Sequence, residues 1–254
     1  MESFSDLLRH WRSLRRLSQL DLALEAGVSA RHISFLETGR ARPSRDMVLH
    51  LGAILRVPLD RRNQMLGAVG FAPKFSARAW DDAEMAPIRR AVDWTLERHA
   101  PYPGIAIDKL WTIRRMNAPA RAIFGAMGAV EGASMIDIVQ RREVQSAIEN
   151  WPEVARHLAL RLRAESAAQG GIPKLDDAER HLSGAAGPSG EGAPAVPTIF
   201  KLGGERLALV GTIAQFSSTG DSVVEELKIE LFFPSDNEAE RILRDLGGAA
   251  TDQR

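Results

Sequence analysis

The stretch LSQLDLALEAGVSARHISFLETGRARPS, residues 17–44, leaves a chain little freedom in how it folds. It reads as two short helices that meet at a sharp angle, with the residue each position of that geometry needs. Ser18 stands at an N-cap, and Asp21 three residues on completes a weak capping-box pattern. Where two helices touch closely a small side chain is required, and Ala23 supplies it. The turn after the first helix needs a residue tolerant of positive φ, and Gly27 supplies that. Leu22, Val28, Ile33 and Leu36 fall where apolar contacts must lock the second helix on the first. Ser29 caps that second helix, which runs to about Glu37 and is stopped by Gly39.

Helical spacing continues on both sides. Phe4, Leu7, Leu8, Trp11 and Leu14 recur three and four apart and predict a helix from about Phe4 to Arg16. Ser44, after Pro43, starts another through about Arg56, and a fifth runs from about Leu59 to Val69. Residues 1–72 therefore predict an all-α, five-helix domain around a helix-turn-helix. In that motif the second helix enters the major groove of DNA and its N-terminal residues reach base edges.

The formal net charge of the 254-residue chain is zero, whereas DNA binding draws most of its strength from neutralised phosphates. The sum misleads. Residues 1–75 hold twelve Lys and Arg against seven Asp and Glu, and the remainder holds twenty-one against twenty-six. A locally basic N-terminal portion is offset by an acidic remainder.

The 44 % hydrophobic content supports packed cores. There is no cysteine, which excludes disulfides, thiol redox sensing and cysteine-based metal sites and fits a cytoplasmic location. MESFSDLLRHWRSLRRL is charged throughout, so no signal peptide is expected. The longest apolar run, LALVGTIAQF, is about half the length of a membrane helix, so no membrane partner is expected. No Gly-rich phosphate loop, HExxH or G-x-S-x-G occurs, and His99, His157 and His181 lack metal-ligand spacing. Neither an enzyme nor a metal or cofactor site is expected.

Beyond residue 72 the periodicity lapses around Pro73 and an acidic DDAE, and 73–86 is expected as a linker. Residues 87–254 predict a mixed α+β domain with an antiparallel sheet. It opens with a helix from about Pro87 to His99. GIAIDKLWTIRRMN then reads as a β-hairpin turning near Asp108 and Lys109, and Asn117 caps the next helix. WPEVARHLALRLRAES is a long helix, and the Gly/Ala/Pro-rich 184–197 is expected as a loop. Strands TIFKLG, ERLALVGTIAQFSS and VEELKIELFF follow, then a short terminal helix. In the last strand Leu227, Ile229 and Leu231 alternate with Lys228 and Glu230, the pattern of a half-buried strand.

The N-terminal pattern of Gln, Ala, Gly, VS, IS and Glu-x-Gly-Arg resembles the phage-repressor-like helix-turn-helix family, the Cro/C1 or XRE type, over residues 4–69. That resemblance implies roles position by position. Gln19 would bond a phosphate. Ala30, Arg31, Ser34 and Phe35 would face the groove, with Arg31 placed for a bidentate guanine contact and Phe35 for either core or a thymine methyl. Arg40, Arg42 and Arg45 would hold the DNA backbone, and Thr38 and Gly39 would offer amide donors. Ser29 and His32 complete the DNA-facing set. Arg12 and Glu37 match a structural ion pair tying the first helix to the third.

RHISFLETGRARPSRDMVLHLGAIL, HAPYPGIAIDKLWTIRRMNAPARAIFG, NWPEVARHLALRLRAE and TIAQF…EELKIELFFPSD occur in this order along nearly the whole chain. Together they are similar to the MmyB-like regulator family, which joins a Cro/C1-type head to a PAS-like ligand-binding domain. The resemblance implies a transcriptional regulator that binds a double-stranded operator as a homodimer and senses a small hydrophobic, fatty-acyl ligand. Ile105, Ile107, Trp111, Ile113, Phe124, Ile213 and Phe216 are the candidate pocket lining, with Arg114 or Arg115 meeting a carboxylate. The other reading is a constitutive or antitoxin-like repressor whose C-terminal domain binds a protein partner.

Overall fold

The structure is a computed structural model that describes residues 2–185, 196–216 and 220–251. Most of the expected loop at 184–197 lies outside the described residues. The chain divides into two compact units.

The first unit is built on five helices: α1 (Phe4–Leu14), α2 (Gln19–Ala26), α3 (Ala30–Glu37), α4 (Arg45–Ile54) and α5 (Leu59–Ala68). Serines start four of them. Ser3, Ser18, Ser29 and Ser44 each accept a hydrogen bond from the backbone three residues on, and Ser18 with Asp21 forms a reciprocal capping box. Gly27 ends α2 in the left-handed region at φ 64°, as the turn requires. The apolar faces converge on a core that includes Leu8, Trp11, Leu22, Ile33, Leu36, Leu51 and Leu66, all at most 2 % exposed. Full burial of each such side chain contributes about 1.5–3 kcal/mol.

Part of the expected linker belongs to this unit, which extends to Arg78. Asn63 of α5 holds the segment. Its side-chain amide donates to the Phe75 carbonyl at 2.7 Å, and its oxygen accepts from the amides of Lys74 and Phe75. Two later stretches, 164–172 and 220–225, also group with this unit. Gly170, at φ 80°, lies so close to Trp11 that a Cβ there would come within 2.6 Å of the indole. Glu225, in the helical turn α12 (Ser222–Glu225), accepts from the Leu59 amide at 3.0 Å at the start of α5. The sequence reading placed Val224 and Glu225 in a strand. They are helical, and the strand begins at Lys228.

The second unit holds a five-stranded antiparallel sheet: β1 (Gly104–Ile107), β2 (Ile113–Met116), β3 (Thr198–Leu202), β4 (Glu205–Gln215) and β5 (Lys228–Pro234), in the order β2-β1-β5-β4-β3. The hairpin β1–β2 turns where the sequence placed it. Helices α6 (Ala86–Arg98), α7 (Ala118–Phe124) and α13 (Asn237–Thr251) pack on the sheet. At fifteen residues, α13 is longer than the short terminal helix expected. The remaining helices are α8 (Met135–Val139), α9 (Arg142–Ser146), α10 (Trp151–Ala168, of which 151–163 belong here) and α11 (Pro173–Ala185). With five helices followed by a sheet and helices, the chain is an all-α domain joined to an α+β, PAS-like one.

Asn117 ties this unit together. It caps α7 by accepting from the Ala120 amide, accepts also from the Gly104 amide, and donates to the carbonyls of Leu96 and Tyr102. Both ends of the buried amide are thereby satisfied. A Cβ at Gly104 would lie 2.8 Å from a terminal methyl of Leu96 in α6, so any larger residue there would force that side chain to shift.

Candidate functional site

In the first unit α3 and the turn after it hold most of the residues that the sequence assigns to DNA. Ser29 caps the helix by accepting from the His32 amide at 3.1 Å, and no acidic residue occupies its first turn. The positive end of the helix dipole is therefore left uncancelled, which favours an anion nearby. Arg31 is exposed, and its guanidinium lies over the Phe35 ring, 5.1 Å from the centroid. Stacking on a residue one turn away limits the rotamers of a long side chain and pre-orders it. Ala30, His32, Ser34 and Phe35 are half-buried, so the face between Arg31 and the turn is shallow.

Thr38 closes α3 by donating its hydroxyl to the Ser34 carbonyl at 2.8 Å, and Gly39 turns the chain at φ 73°. Beyond it Arg40, Arg42 and Arg45 are exposed. Arg42 also donates to the Val69 carbonyl at 2.8 Å, which fixes its guanidinium at the C-terminal end of α5.

Glu37 sits behind this face and is 2 % exposed. Arg12 donates to it through Nε at 2.6 Å and Nη2 at 3.0 Å, and Gln19 through Nε2 at 2.7 Å. Arg9 donates to its backbone carbonyl at 2.5 Å, and Ser5 to that of Leu36 at 2.7 Å. Burial alone would raise the pKa of Glu37. The hydrogen bonds from Arg12 and Gln19, with the charges of Arg12 and Arg9, outweigh burial and hold it below the ordinary carboxylate value. Gln19 thus turns its amide toward Glu37 rather than outward. Arg9 and Ser5 did not emerge from the sequence, since nothing in the spacing of α1 singles out two polar residues that cap a distant helix.

In the second unit a cavity of about 100 Å³ lies on one face of the sheet. Alternation delivers its floor: Thr198 and Phe200 from β3, and Glu230 and Phe232 from β5. Phe124, at the end of α7, meets both Phe200 and Phe232 with ring centroids 5.5 and 5.4 Å apart. Met127, Met135, Ile138, Val144, Val154 and Leu158 are among the other lining residues. Trp111 completes the wall from the β1–β2 turn. It is buried, and its backbone is left-handed at φ 62°, a conformation that costs a bulky residue energy and marks a position under constraint.

Of the sequence-chosen lining residues, Trp111 and Phe124 line this cavity. Ile105, Ile107 and Ile113 are buried without lining it, and Phe216 is half-buried outside it. Ile213 is 47 % exposed, because the part of β4 that carries it leaves that side chain uncovered. Arg114 and Arg115 do not line the cavity either. Arg114 pairs with Asp108 at 2.7 Å, and Arg115 with Asp93 and Glu131, both at 3.3 Å. The charged lining residue is instead Glu230, only 9 % exposed. Alternation along β5 assigned it to solvent, but both faces of that strand are covered here. Its Oε1 accepts from Arg161 at 2.5 Å, and the Arg161 guanidinium stacks 4.4 Å from the centroid of Trp111.

Among the described residues no group of three or more His, Cys, Asp or Glu is placed to hold a metal, and no helix is long and apolar enough to cross a membrane. Residues 3–65 match the sequence profile of a helix-turn-helix domain. Residues 88–246 match that of the MmyB-like transcription regulator ligand binding domain. No curated protein matches the chain.

Proposed function

The chain belongs to the MmyB-like transcription regulators, matched over more than half its length, and from that premise we propose that it reads an operator with α3 and responds to a small hydrophobic ligand. One observation carries the second part: the unit matched as ligand-binding holds a cavity walled mostly by aromatic, aliphatic and methionine side chains. Its volume is below the roughly 150 Å³ of an apolar cavity that admits benzene. A fatty-acyl chain therefore enters by displacing lining side chains, and Met127 and Met135 are the unbranched ones that repack most easily.

On the DNA side, Arg31 reads a base, and Arg40, Arg42 and Arg45 with the amides of Thr38 and Gly39 hold phosphates. Gln19, committed to Glu37, positions that acid and leaves phosphate contact to the arginines. One short recognition helix discriminates little, so two copies on a palindrome form the working species, a homodimer in the cytoplasm. A ligand controls such a dimer only if it binds its two states with different affinity.

The test is a binding site selected by the full chain from random DNA. Arg31→Ala should lose about 1–3 kcal/mol and relax specificity at one base pair, while Arg45→Ala weakens all sequences alike. Decanoyl compounds should change operator affinity by about fivefold or more. An unchanged base preference in Arg31→Ala sinks the docking, and an affinity indifferent to every acyl compound sinks the control.

A further inference from the structure

We infer that the second unit pairs with a second copy of itself along the open edge of β4, strand against antiparallel strand. The inference gives an interface to the homodimer proposed above and rests on that reading. β3 covers β4 as far as Leu209, which lies opposite Thr198. From Val210 to Gln215 the strand keeps β5 on one side, and on the other it has no strand beside it among the described residues.

Alternation fixes which backbone groups face that edge. Ser235 donates its amide to the Ala208 carbonyl, and Phe232, opposite Gly211, turns its own amide to the Pro103 carbonyl. Ala208, Val210, Thr212 and Ala214 therefore bond to β5, and Gly211, Ile213 and Gln215 point their N–H and C=O outward. Among the described residues none of these three has a backbone partner on that side. Proteins blunt such an edge with lysine, proline or a bulge. VGTIAQ has no charge and no proline, its register with β5 is unbroken, and Ile213 is 47 % exposed.

The segment complements itself. A two-fold axis at Ile213 sets it against Ile213 of the partner subunit, and Gly211 against Gln215 of the partner subunit. Every such pair exchanges two hydrogen bonds, about six in all. The two exposed isoleucines then cover each other, and no like charges meet. Because β4 ends at Gln215, the partner strand stops beside Gly211, short of Leu209 where β3 begins.

The chain has no cysteine, so Ile213→Cys gives the full chain a single thiol for cross-linking by a short bis-maleimide. It should form covalent dimers at least about tenfold faster than Leu160→Cys, an exposed position on α10 away from the edge. Ile213→Lys puts like charges directly opposite each other, and in sedimentation it should weaken the dimer by about tenfold or more. A dimer as tight in Ile213→Lys, or cross-linking no faster at 213 than at 160, overturns the inference and leaves the homodimer standing on another surface. A full chain that sediments as a monomer both free and on its selected operator overturns both. If the lysine variant does not fold, the cross-linking comparison still decides.

Discussion

Glu37 and Glu230 are both buried, one in each unit, and their surroundings differ in kind. Glu37 receives three side-chain hydrogen bonds from two residues, and the packing around it includes side chains with no exposed surface. Glu230 receives one cation on one oxygen and borders empty space. A carboxylate whose acceptors are filled from within acts as an architectural joint. One that borders a cavity has room beside it into which its surroundings can shift. The helical unit is built to hold one shape while it lies on DNA, and the sheet unit retains room to change.

The contrast breaks first at Glu37. Glu37→Ala strands Arg12 and Gln19 without their acceptor and should cost about 3–5 kcal/mol, the scale for removing one partner of a buried pair. Hydrogen exchange at α1 and α3 amides would register it. Rapid exchange confined to the sheet unit would reverse the comparison.

A single added methylene probes the packing more finely. Val48, fully buried among the helices, has no slack, so Val48→Ile should cost about 1–3 kcal/mol. Val144 lines the cavity, so Val144→Ile should stabilise by up to about 0.8 kcal/mol while weakening ligand binding. Denaturation midpoints moving the same way in both variants would show that the two interiors are equally tight.

Acid should separate the units by the smallest margin. Burial lowers the pKa of His99 below its usual value of 6.5, against the opposing pull of its hydrogen bonds with the Phe232 and Pro103 carbonyls. The unfolded chain then binds the proton more readily, so this contribution is intact above pH 6.5 and declines as pH falls below it. The lowered pKa of Glu37 contributes stability that is full above pH 4.5 and is lost only as pH falls through its folded value. The sheet unit should therefore begin to loosen at a higher pH than the helical one. Residue-resolved exchange between pH 7 and 4 checks the order.

How much of this was legible in the sequence follows from how local each feature is. The helix starts and stops of the first unit were readable because a serine cap and a left-handed glycine act within three or four residues. The hairpin and the Asn117 cap were readable for the same reason. The cavity was not, because its wall gathers side chains from strands β3 and β5, a turn and several helices, and nothing local brings Thr198, Glu230 and Phe124 to one wall. Alternation misassigned Glu230 because a period of two separates the faces of a strand without saying which faces are covered. Hydrophobicity misassigned Ile213 because an apolar side chain does not announce whether a neighbour reaches it. Trp111 was chosen as an aromatic, yet the strained backbone that sets it apart is invisible in its letter.

The helical unit is not a contiguous piece of chain. Its surface is finished by 164–172 and 220–225, with Gly170 against the indole of Trp11 and Glu225 at the start of α5. A DNA-binding head of this kind cannot be exchanged between proteins by one crossover near residue 72. Recombination there would carry away five helices and leave behind the two patches that cover them. Exchange would have to bring three separate stretches of gene together, so the two units are expected to be inherited as a pair.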